Sequence, residues 1–106
     1  MIAQTPKPPY YVVIFTSVRT GGNRGYEEMS DKMVELAQQQ EGFLGYESAR
    51  NEIGITVSYW RDLESIRNWR NHSEHILAQL YGKREWYQSY KVRIAKVERD
   101  YDFTKE

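Results

Sequence analysis

Apolar and polar positions alternate along this chain with two different periods, and the switches between them mark six elements. Over residues 10–18 the period is two. Tyr10, Val12, Ile14, Thr16 and Val18 share one side; Tyr11, Val13, Phe15 and Ser17 share the other. Both sides are mostly apolar, so this strand needs cover on both faces. Helices of the same chain can cover one face. A second subunit's sheet is the economical cover for the other.

Thr20-Gly21-Gly22-Asn23-Arg24-Gly25 interrupts the pattern as a loop. Its glycines fit neither a Walker A spacing nor a dinucleotide fingerprint, so it reads as a connection. From 25 to 40 the period is helical. Tyr26, Met29, Met33, Val34 and Ala37 recur at steps of three and four, and Gly42 is placed to close the helix in the left-handed conformation. Residues 43–50 and 53–60 read as a hairpin around Asn51-Glu52, with Gly54 near its turn. Asp62 caps a second helix that runs through Trp69 and continues or bends toward residue 79. Leu63, Ile66, Trp69 and Arg70 occupy neighbouring positions of one of its faces. Tyr81-Gly82-Lys83-Arg84 breaks that pattern, and residues 85–89 read as a short turn or helix. Residues 90–101 read as a last strand.

The order β-α-β-β-α-β predicts an α+β, ferredoxin-like domain: a four-stranded antiparallel sheet with two helices on one face. Two such sheets packed face to face would bury the second apolar side of the first strand and make a dimeric α+β barrel. Residues 1–9 hold all three prolines and read as a flexible arm; residues 10–106 form the single domain.

Composition narrows the function classes. A 106-residue chain buries a modest core, so a partner subunit adds stability. Basic and acidic residues number 15 each, which argues against a nucleic-acid partner. The basic residues Lys91, Arg93, Lys96 and Arg99 are interrupted by Glu98 and Asp100 and read as a solvated strand face or an intersubunit charge ladder. No cysteine is present, so thiolate chemistry and disulfides are excluded. No apolar run spans a bilayer, and the first nine residues lack the pattern of a signal peptide, so the expectation is cytoplasmic residence with no membrane partner. Aromatic residues make up 14%, which suggests an apolar pocket or an aromatic interface.

Candidate chemistry clusters on and around the second helix. Trp69 suits either the core or a pocket wall that stacks on a flat aromatic ligand. His72 and His75 stand three apart, but no third ligand at metal-binding spacing accompanies them. His75 is the candidate general base or orienting donor, against the more ordinary reading of a capping or packing residue at a helix bend. Asn68 and Asn71 flank Trp69 as secondary donors. Trp60, Tyr59, Tyr46 and Trp86 are the candidate substrate-binding residues. Trp86, Tyr87 and Tyr90 form an aromatic cluster that reads as a pocket lid or as subunit contact.

The run Gly-Ile-Thr-Val-Ser-Tyr-Trp over 54–60, the Asp62-capped helix with Trp69, the two histidines and the aromatic last strand resemble the antibiotic biosynthesis monooxygenase domain family of the dimeric α+β barrel superfamily. The resemblance spans residues 10–103 or so. It implies a homodimer and a monooxygenase or related oxidoreductase acting on an aromatic or polycyclic small molecule, without a tightly bound cofactor. Cofactor-free members place Asn, Trp and Tyr side chains around a polycyclic phenol. Its anion passes an electron to dioxygen directly, provided donors hold the oxyanion and water is kept out. Two alternatives stay open. One is heme binding and degradation, for which the resemblance implies His75 as proximal ligand, although the first strand carries Thr16 and Ser17 where those enzymes have Asn. The other is a non-catalytic ligand-binding dimer.

Overall fold

The computed structural model describes residues 1–79 and 86–106. Six elements follow in the expected order: β1 (Tyr10–Arg19), α1 (Tyr26–Gln38), β2 (Phe43–Arg50), β3 (Gly54–Trp60), α2 (Leu63–Gln79) and β4 (Tyr87–Val97). The strands form one antiparallel sheet in the order β2-β3-β1-β4, the ferredoxin-like arrangement.

Period two decides what each side of the sheet carries. The β1–β3 register sets Val13 opposite Ser58, Phe15 opposite Thr56 and Ser17 opposite Gly54; these face the helices. Tyr46, Ser48 and Arg50 of β2, and Tyr90, Val92 and Ile94 of β4, join them on that side. The other side carries Val12, Ile14 and Thr16 with Ile55, Val57 and Tyr59.

Asp62 starts α2 as its sequence predicts: its Oδ1 accepts the Ser65 backbone N–H at 2.7 Å. Hydrogen bonds from the Ser65 side chain and backbone, then from Arg61, hold the Asp62 carboxyl down to about 2. Gly42 is required twice over. Its φ is +88°, and a Cβ there would stand 2.1 Å from Ser65 Oγ. The loop after α1 and the start of α2 therefore meet backbone to side chain. Trp60 fills the corner between them and is wholly buried. Phe43 meets it edge-on at 5.4 Å, Trp69 stacks on it at 6.1 Å, and its Nε1 donates to Ser58 Oγ at 2.8 Å.

Residues 1–9 lack regular secondary structure and contact the side of the sheet away from the helices. Ala3 N donates to Glu47 Oε2 at 2.9 Å, and Tyr59 donates its phenol to Glu47 Oε1 at 2.5 Å. Tyr10 donates to Asp100 Oδ2 at 2.5 Å and accepts from Thr5. The Tyr10 and Tyr59 rings meet edge-on at 5.9 Å. The chain's two ends are thus fastened to one another across β1.

The second helix continues to Gln79, one of the two courses its sequence allows. One boundary differs from expectation. The last strand starts at Tyr87, with a register shift against Val18 and Arg19, and stops at Val97. Val97 already pairs with Tyr10, the first residue of β1, and Pro9 before it has no N–H to continue the ladder. The expected break at 81–84 and the start of the 85–89 turn lie outside the described residues; positions 87–89 belong to β4.

Candidate active site

The helices stand off the sheet and leave a cavity of about 560 Å3 between them. Ligand sites usually span roughly 300–1,000 Å3. Met29, Met33, Val34 and Ala37 of α1 form one wall, the positions predicted as its apolar stripe. Ile66, Trp69, Arg70, Ser73 and Glu74 of α2 form another. Phe43 and Tyr46 stand at one side of the floor, and Val92, Ile94 and Tyr90 at the other.

The centre of the floor is polar. Ser48, Thr56 and Ser58 all line the cavity. Ser48 Oγ and Thr56 Oγ1 are 3.0 Å apart, so one hydroxyl proton joins them and the other is left to donate. Ser58 Oγ accepts from Trp60 Nε1, which leaves the Ser58 proton to donate as well. A row of hydroxyl donors under apolar and aromatic walls suits a flat ring system with an oxygen substituent.

One end of the cavity is aromatic and cationic. Tyr87 meets Tyr26 edge-on at 5.9 Å and Phe15 at 5.6 Å, and Tyr90 tilts on Phe15 at 5.2 Å. Burial, then a hydrogen bond with Tyr26, pushes the Tyr87 phenol well above its ordinary pKa; Arg50 and Arg19 pull the other way. Arg19 lies 3.3 Å from the Tyr26 ring centroid. Trp86, behind this cluster, is buried and donates Nε1 to Arg24 O at 2.7 Å. Of the three aromatics predicted as a lid or interface, Tyr87 and Tyr90 line the cavity and Trp86 pins the loop after β1.

A family model described as antibiotic biosynthesis monooxygenase matches residues 9–79. The chain belongs to the antibiotic biosynthesis monooxygenase family. It is 51% identical over 100 residues to the uncharacterized protein YqjZ of Bacillus subtilis, a match covering 92% of this chain and 88% of that one. Two solved structures share the fold. PA3566 of Pseudomonas aeruginosa superposes with a TM-score of 0.68 at 20% identity, over 91% of this chain and 99% of that chain. SnoaB, a cofactor-independent oxygenase from Streptomyces nogalater, superposes with a TM-score of 0.65 at 11% identity, over 92% of this chain and 100% of that chain.

Within this antibiotic biosynthesis monooxygenase domain, the residues singled out from sequence part company. Trp69 and Tyr46 line the cavity. Trp60 lies behind Trp69 and positions it by stacking. Tyr59 faces the other side of the sheet; burial and its bond to Glu47 push its phenol up to about 12. Asn68, Asn71 and His75 are exposed on α2 and are not among the lining residues, and neither is His72, whose ring lies 6.0 Å from that of Trp69. At roughly 3.6 residues per turn, 68, 71 and 75 fall on the side of α2 opposite Ile66 and Ser73. The heme alternative rests on an axial histidine, and the described lining does not offer one. Among the described residues no group of three or more His, Asp or Glu is placed to hold a metal, and no helix is long and apolar enough to cross a membrane.

Sequence reasoning passed over Ser48, Arg50, Thr56 and Ser58. The signal was the inverted alternation of β3. Its helix-facing positions read Gly54, Thr56, Ser58, and its outward positions read Ile55, Val57, Tyr59. A strand that turns small polar residues toward its own helices is lining a space.

Proposed function

We propose that the cavity binds a polycyclic phenol and that the protein oxygenates it with dioxygen, using the substrate itself as reductant. The carrying observation is the hydroxyl row Ser48, Thr56 and Ser58 set beneath Trp69 in a mostly apolar cavity. Trp69, braced by Trp60, stacks on the substrate rings. The hydroxyls donate to the substrate oxygen and favour its anion. Glu74 is the only carboxylate among the described lining residues and takes the substrate proton. The anion gives one electron to dioxygen, the two radicals join at a ring-flanked carbon, and the peroxide loses water. A CH2 and O2 thus become C=O and H2O, with no electrons left over. The apolar walls keep bulk water from the anion.

Oxygen uptake with 1,8-dihydroxyanthrone tests this reading. The expected result is saturable uptake above the spontaneous rate, one O2 per anthraquinone formed. A rate equal to that of buffer alone would remove the oxygenase reading and leave a ligand-binding domain.

A second copy of the chain is proposed to cover the outward side of the sheet. Ile55 there is 39% exposed, beside Ile14 and Val57, an apolar surface that one chain leaves open. Light scattering should give a dimer, and Val57→Glu a monomer.

A further inference from the structure

We propose that the ligand of this cavity is an aromatic carboxylate and that Arg50 receives its carboxyl group. The proposal rests on the cavity being the substrate site and names the class of substrate. Arg50 ends β2, on the side that faces the helices, and lines the cavity. Its guanidinium is held in place rather than left to wander. Nη2 donates to Ser17 Oγ at 2.5 Å, and Ser17 is 1% exposed. Beneath lies Gly54, where a Cβ would come within 2.1 Å of Nη2, 2.2 Å of Cζ and 2.7 Å of Nε. Gly54 opens β3, and its missing side chain leaves the seat on which the guanidinium lies.

This cation has no carboxylate partner among the described residues. The ion pairs found there join Arg61 to Glu41 and Asp62, and Arg70 to Glu74. Glu74, the one acidic residue of the described lining, is therefore already engaged by another arginine. A guanidinium carries five N–H donors in a planar fork that matches a carboxylate. Ser17 takes one of them. Tyr90, paired with Ser17 across β1 and β4, and Phe15 beside it set aromatic surface next to the fork. A ring stacked between Trp69 and this end of the floor would bring a ring carboxylate to Arg50, while the hydroxyl row meets a neighbouring oxygen.

The test compares 3-hydroxy-2-naphthoate with its uncharged amide, 3-hydroxy-2-naphthamide, by equilibrium dialysis against the full chain. A charge-assisted pair predicts that the acid binds about tenfold or more tighter than the amide. Arg50→Gln should abolish that preference by weakening the acid far more than the amide. Arg50→Lys, which keeps charge but loses the fork, should give an intermediate preference. Gly54→Ala should narrow it by lifting the guanidinium from its seat. Equal binding of acid and amide to the unaltered protein would overturn the proposal, as would equal weakening of both by Arg50→Gln, or no binding of either. Oxygen uptake with the uncharged anthrone reports separately. Uptake without acid preference removes only the Arg50 assignment; acid preference without uptake removes the oxygenase reading and sustains the assignment.

Discussion

The two sides of this sheet are made by the same strands and do opposite things with polar groups. On the outward side, polar atoms answer one another. Glu47 takes hydrogen bonds from Tyr59 and from the Ala3 amide, and Tyr10 joins Thr5 to Asp100. On the helix side, among the described residues, Ser48, Thr56 and Ser58 keep donor capacity and Arg50 has no carboxylate partner. Satisfied polar groups hold a fold together; donors left over along an open cavity can serve a ligand. On the proposed function, the difference separates residues that are needed for folding from residues that are needed for binding.

Trp60 serves both roles, wholly buried in the core and stacked behind Trp69, and gives the largest effect. Trp60→Ala empties a wholly buried site and should cost about 3–5 kcal/mol in urea unfolding. It should also loosen Trp69 and weaken ligand binding. A loss under about 1 kcal/mol would mean that the corner of the two helices is not the core described here.

The outward network comes next. Glu47→Ala leaves a half-buried phenol and an amide without their acceptor and should cost about 1–3 kcal/mol. Its pH dependence has a definite sign. The Tyr59 and Ala3 hydrogen bonds hold the Glu47 carboxyl below its usual 4.5, so its contribution is present above 4.5 and fades as pH falls through the depressed value. Tyr59 is raised from 10.0 to about 12, so its contribution is present below 10 and fades as pH climbs toward 12. Thermal melts of Glu47→Gln should lose part of the acid slope, and those of Tyr59→Phe part of the alkaline slope. Unchanged slopes would place these bonds outside the stability account.

The smallest stability effect belongs to the cavity floor. Thr56→Val keeps shape and removes one hydroxyl of the Ser48 pair, and it should shift stability by less than about 1 kcal/mol. It should nonetheless weaken binding of a phenol more than binding of the ring without its hydroxyl. Equal weakening of both would make Thr56 a packing residue.

Most of the fold was legible from period and punctuation. The two-sided β1, the five-residue stripe of α1 and the Asp62 cap stand where their patterns place them; Gly42 has the expected positive φ, but α1 ends at Gln38 with Gln39 as its cap, so Gly42 lies in the loop beyond the helix. The end of β4 was not legible, because Lys96 to Tyr101 continues to look strand-like while the ladder stops where β1 has no earlier partner. The site was legible in part. Trp69 and Tyr46 line the cavity, but Asn68, Asn71 and His75 were chosen for their chemistry, and the helical wheel that turns Ile66 and Trp69 inward turns those three outward. In the sequence Arg50 is only the last residue of a strand. Its seat depends on Ser17, 33 residues earlier, and on Gly54 across a turn, a relation that only the register creates.

The measurement that tests the central claim most directly is oxygen uptake with 1,8-dihydroxyanthrone by two single variants in parallel, Trp69→Ala from the cavity side and Tyr59→Phe from the outward side. The cavity account predicts that Trp69→Ala loses most of the saturable uptake while its fold survives, and that Tyr59→Phe retains it. Equal rates from the two variants, or loss in Tyr59→Phe alone, would contradict it.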